Sequence, residues 1–181
     1  STARCSVWSL LRLSVALEDG APGMAFEDRR VGVAGGELSL AVRVWPAQGA
    51  ERQLCVAWPG WLDNAGSFDA LAPLFAAAGY TFVACDPPGC GLSDHLPPAA
   101  TYMDLNDSGY IIELADAMGY EDESPFVLVG HSRGSGVVTA CAAAFPARIA
   151  ALVTFESAFG LLGVFPMEMG ADAKKGNHKL P

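Results

Sequence analysis

Basic residues are scarce in this chain. Eleven Lys and Arg stand against 20 Asp and Glu, a formal net charge of −9. That excludes non-specific binding to nucleic acid or to an anionic membrane, since both need a basic surface. Cysteines are few and scattered, at positions 5, 55, 85, 90 and 141, with no C-x-x-C pair. An odd number at such spacing excludes a disulfide framework and a zinc site, and points to a reducing, intracellular compartment, cytoplasmic or organellar. No apolar run is long enough to span a bilayer. Charged residues are sparse as well, at 17%, while 51% of the chain is apolar. At 181 residues that balance predicts one globular domain with a well-buried core.

The first 17 residues, STARCSVWSLLRLSVAL, hold two Arg, four Ser and no acid. This is transit-peptide composition, although Arg12 interrupts its apolar part. Residues 1–23 are therefore expected to be a leader or an unstructured segment, with the core over 24–165 and a flexible tail over 166–181.

From residue 31 the pattern alternates between strand and helix. ELSLAVRVW (37–45) alternates apolar and polar residues and predicts an antiparallel edge strand. QLCVAW (53–58) is a short continuous apolar run, the signature of a central buried strand, and TFVAC (81–85), PFVLVG (125–130) and IAALVTFE (149–156) read as further strands. Helices are expected over 67–80, over 101–118 with Tyr102, Leu105, Ile112 and Ala115 on one face, and over 136–145. Strands alternating with helices imply an α/β fold, a mostly parallel sheet covered on both faces.

The chemistry-bearing stretch is VLVGHSRGSGVV, residues 127–138. GHSRG at 130–134 fits G-x-S-x-G and lies between a predicted strand and a predicted helix. In that context a serine occupies a tight, strained turn that lifts its hydroxyl above the sheet, and Gly130 and Gly134 allow helix and strand to approach. Ser132 is thus the candidate nucleophile. The amide of Arg133, at a helix N-terminus, is a candidate oxyanion donor. His131, directly before the serine, is expected to pack or to support from behind.

These features resemble the α/β-hydrolase superfamily over roughly residues 30–160. PGWLDNAGSFDALAPL (59–74) and DPPGCGLSDH (86–95) are similar to two segments of its serine hydrolase-like proteins. The resemblance implies the N-terminal portion of an α/β-hydrolase fold and a second oxyanion donor at the amide of Trp61. The chain departs from the group's pattern at Pro59 and Cys90, both positions where His is found in relatives. Asp86 and His95 are expected to fix their loop by hydrogen bonds, and Asp63 and Asn64 to form a capping turn ahead of Ser67.

A triad needs an acid and then a histidine after the serine. Glu156, at the end of a predicted strand, is the candidate acid. His178 is the histidine that follows, and GNH at 176–178 resembles the turn bearing the base in longer relatives. Two function classes follow. One is a serine hydrolase acting on a small carboxylic ester or related acyl substrate, with no metal or organic cofactor implied. The other is a shortened, catalytically inactive remnant or binding module. A sheet ending at residue 156 would leave an apolar edge open to self-association.

Overall fold

The computed structural model describes residues 25–49, 53–121 and 124–156. The expected leader, the tail and His178 lie outside the described residues. Six strands form one sheet: β1 (Glu27–Val33), β2 (Leu38–Trp45), β3 (Gln53–Trp58), β4 (Tyr80–Cys85), β5 (Phe126–His131) and β6 (Ile149–Phe155). Their spatial order is β1-β2-β4-β3-β5-β6. β3, β4, β5 and β6 pair in parallel, while β1 with β2 and β2 with β4 are antiparallel.

Because side chains alternate across a strand, each central strand feeds two cores. Leu54, Val56 and Trp58 of β3 join Phe126 and Leu128 of β5 on one face, packed with Ile111, Leu114, Val137 and Val138 from helices. Cys55 and Ala57 join Val127, Val129, Phe82 and Phe75 on the other. The first face is covered by α2 (Asp104–Ala117) and α3 (Arg133–Ala144), the second by α1 (Ala72–Ala77) and a 3-10 turn over Ala65–Phe68. β3, β4 and β5 are buried on both faces, which is why they read as unbroken apolar runs. β6, last in the order, has no buried residue and exposes Leu152 and Phe155.

Three elements differ from the sequence expectation. The strand at 37–45 is antiparallel as expected but is not the edge, because β1 lies outside it. β1 reads EDRRVGV and is exposed along most of its length, so it carries no apolar period. It is held instead by its ladder to β2 and by Arg30, whose guanidinium reaches Ser39, Asp94 and the Leu92 carbonyl. The expected helix at 67–80 is split into the 3-10 turn and α1, with Pro73 in the first turn of α1. Proline lacks the N–H a continuing helix would need, so the helix restarts there. α2 buries Asp107, Ser108, Ile111, Leu114 and Ala115, whereas Leu105, expected on the buried face, is 63% exposed. α2 and α3 also touch directly: the Ser108 hydroxyl lies 3.3 Å from the Val137 carbonyl of α3 and 3.2 Å from the Asp104 carbonyl of its own helix.

Candidate active site

The parallel strands deliver their carboxyl ends to one edge, and Ser132 stands there between β5 and α3. Its backbone has φ 51° and ψ −119°, a conformation that costs a non-glycine residue about 1–3 kcal/mol. The surroundings hold it in place. The Ser132 amide donates to the Phe155 carbonyl at 2.9 Å, and its own carbonyl accepts from the Ser135 amide at 3.0 Å. The buried Ser135 hydroxyl lies 3.1 Å from both the Gly130 and the Phe155 carbonyls. Two glycines make the approach possible. A Cβ on Gly134 would lie 2.1 Å from the Trp58 carbonyl oxygen, and one on Gly130 only 2.5 Å from Val138 Cγ2. Here glycine is required by space, since the start of α3 rests directly on the backbone of β3 and β5. The first amides of α3, Arg133 included, have no partner within the helix.

The turn after β3 forms the second wall. Gly60 runs against the serine: a Cβ on it would be 3.4 Å from Ser132 Cβ and from His131 Nδ1. Trp61 follows, half exposed, with the Arg133 guanidinium carbon 5.9 Å from its ring centroid. The turn is braced on its far side. Asn64 Oδ1 accepts from the Gly66 amide at 2.9 Å, and Asp63 accepts from the Ser67 hydroxyl at 2.7 and 2.6 Å. Buried Asp86, at the end of β4, ties two loops together by accepting from the Ala65 amide at 2.8 Å and the Leu92 amide at 2.7 Å. His95 Nδ1 lies 3.3 Å from the Tyr102 hydroxyl, which also accepts from the Leu96 amide at 3.0 Å.

Charge at this edge centres on Arg133. Its guanidinium pairs with Asp104 at 2.5 Å and Asp107 at 3.2 Å, both from the first turn of α2. Asp107 is buried, and burial pushes its carboxyl up to about 7 even though Arg133 pulls it down. The buried Trp58 indole N–H also favours the ionised form, yet it makes no full hydrogen bond; its influence is that of a nearby dipole. Burial likewise raises the Cys90 thiol, with Arg133 opposing. The sequence reading missed Asp104 and Asp107. Their i, i+3 spacing on a helix was the available signal, since such residues share a face.

Glu156 sits just past β6 with φ 49°. Its largely exposed carboxylate comes within 3.6 Å of His131 Nε2. His131 is therefore bracketed by Gly60 on one side and Glu156 on the other.

Residues 55–174 match the alpha/beta hydrolase fold family. The chain belongs to that family. Among its relatives, it is 32% identical to the human serine hydrolase-like protein over 151 residues, covering 83% of this chain and 70% of that protein. With a serine hydrolase-like protein of Dictyostelium discoideum it shares 32% over 120 residues, 66% of this chain. Among solved structures it resembles the thioesterase domain from the curacin biosynthetic pathway, with a TM-score of 0.61 and 30% identity over 74% of this chain. The aligned stretch spans 32% of the Dictyostelium protein, 36% of the mouse relative and 47% of the thioesterase domain.

The six-strand, mostly parallel sheet is that of an N-terminal portion of the α/β-hydrolase fold, and the chain falls within the serine hydrolase-like group. Among its described residues no helix is long and apolar enough to cross a membrane. No cluster of three His, Cys, Asp or Glu among them is arranged to hold a metal ion.

Proposed function

We propose that this α/β hydrolase is a serine hydrolase of small carboxylic esters or related acyl compounds, with Ser132 as nucleophile. The observation that carries the reading is the strained turn at Ser132 (φ 51°) facing the Gly60–Trp61 turn. The Ser132 hydroxyl oxygen attacks the acyl carbon and passes its proton to a base. The carbonyl π electrons move to oxygen, and the resulting oxyanion accepts hydrogen bonds from the amides of Trp61 and Arg133. Collapse expels the alcohol as the base returns the proton to the leaving oxygen. Water, deprotonated by the same base, then attacks the acyl-serine, releasing the acid and restoring the Ser132 hydroxyl. No metal or organic cofactor is called upon.

The base follows Ser132 in chain order, and His178 is the histidine of this chain in that position. Glu156 is the acid nearest the sheet edge. Its contact with His131 favours a second reading, a hydrolase-like chain that acylates without turning over. A fluorophosphonate probe tests the nucleophile. Ser132 should be labelled, and Ser132→Ala should abolish labelling; full labelling of the variant would overturn the assignment. Burst acylation of an activated ester with no steady-state turnover would select the second reading.

A further inference from the structure

Arg133 joins three parts of the site that are otherwise separate. Its amide follows Ser132, its guanidinium lies 5.9 Å from the Trp61 ring centroid, and its two carboxylate partners come from α2. Those partners are unequal. Asp104 has 39% of its side chain exposed, Asp107 only 6%. A pair with the exposed group is weakened by water and salt, whereas one with the buried group is screened little. The orientation of the guanidinium therefore depends chiefly on Asp107.

We propose that Asp107 is a positioning residue for the Trp61 turn, acting through Arg133: its ionised carboxylate holds the guanidinium against the indole, and its protonation loosens the turn beside Ser132. The proposal rests on the reading of Ser132 and Trp61 as nucleophile and oxyanion donor. Geometry supplies the argument: a buried carboxylate, a cation bridging it to a half-exposed ring, and Gly60, the neighbour of that ring in the chain, against the serine.

The groups around Asp107 fix the direction of the effect. From its own helix come Asp104 and Tyr110, from α3 Arg133, from β3 Trp58, and from the end of β4 and its loop Cys85 and Cys90. Both thiols are raised by burial and stay neutral, as does Tyr110, whose hydroxyl is also raised. Asp104 opposes a second negative charge and Arg133 favours it, while burial dominates. The clamp is closed above the titration of Asp107 and open below it.

Two measurements on the full chain test this. The first needs no chemistry and is made in the Ser132→Ala background. Tryptophan emission is titrated from pH 5.5 to 8.5 with and without Trp61→Phe, so that the difference isolates Trp61 from Trp8, Trp45 and Trp58. The Trp61 signal should titrate near pH 7, and Asp107→Asn should remove that transition; a Trp61 transition unchanged by Asp107→Asn overturns the proposal. The second is the fluorophosphonate labelling rate of Ser132, taken as the ratio of the native chain to Asp107→Asn so that titration of any base cancels. The ratio should be about 3–10 at pH 8, a fraction of the loss caused by deleting an oxyanion donor, and fall towards one at pH 5.5. A ratio independent of pH overturns the coupling to the site. Absence of labelling in the native chain would refute the nucleophile assignment instead, and the fluorescence result would still decide the clamp.

Discussion

The amide of Ser132 donates to the carbonyl of Phe155 at 2.9 Å, so the turn after β5 is fastened to the end of β6. The Ser135 hydroxyl reaches the same carbonyl and that of Gly130, each at 3.1 Å. Ser135→Ala should therefore cost about 1–2 kcal/mol of stability, the price of leaving buried carbonyls short of a donor. It should also slow Ser132 labelling, because the strained turn loses a brace. Chemical denaturation beside labelling kinetics checks both; an unchanged midpoint would show the hydroxyl to be dispensable.

Asp86 holds two amides from different loops, those of Ala65 and Leu92. Asp86→Ala should destabilise the chain by about 2–4 kcal/mol, since each orphaned amide costs about 1–3 kcal/mol. Asp86→Asn keeps one acceptor oxygen but turns an NH2 on the other amide, and should cost somewhat less than Asp86→Ala. Thermal denaturation of the pair reads the difference. Equal losses for the two variants would mean that the carboxylate's hydrogen bonds are not what holds the loops.

Asp107 ties stability to pH. Its carboxyl is raised from 3.8 to about 7 by burial, so between those values the folded chain keeps a proton that the unfolded chain has lost. Its contribution to stability then falls as pH rises, and the loss is complete above pH 7. At about 1.4 kcal/mol per pH unit the effect amounts to a few kcal/mol. Asp107→Asn should gain on the native chain by that amount between pH 4.5 and pH 8, measured by urea denaturation. Parallel stability curves for the two chains would refute the shift.

Hydrolysis of a short activated ester separates the contribution of the base from that of the oxyanion amides. Enzymes stripped of triad members keep about 10³–10⁴-fold acceleration from that source. His178→Ala should therefore slow hydrolysis at least about 100-fold without abolishing it, because the serine loses its base, and Glu156→Gln should slow it less. An unchanged rate for His178→Ala would remove it as the base. The pH–rate profile is the check. A basic limb near the histidine value of about 6.5, abolished by His178→Ala, would show that His178 acts as the base.

The legible part of this protein was whatever follows from period and spacing. The runs at 53–58, 81–85 and 125–130 are legible as strands because both their faces are dry. The run at 149–156 is legible as a strand by its apolar residues although it lies partly exposed. GHSRG announced the turn because only glycine fits where Cβ atoms would lie 2.1 and 2.5 Å from neighbouring atoms. β1 was not legible, since a charged strand held by its ladder and by Arg30 carries no apolar signal. Nor was the inward position of Asp107, because a buried carboxylate is tolerated only beside a cation, and Arg133 lies 26 residues away in sequence. Local pattern determined the four parallel strands, their alternation with helices and the serine turn, where each residue answers to its immediate backbone. Tertiary structure alone decided which charges meet, because pairing depends on distance through space, and α2 and α3 are brought together only by the sheet on which both pack.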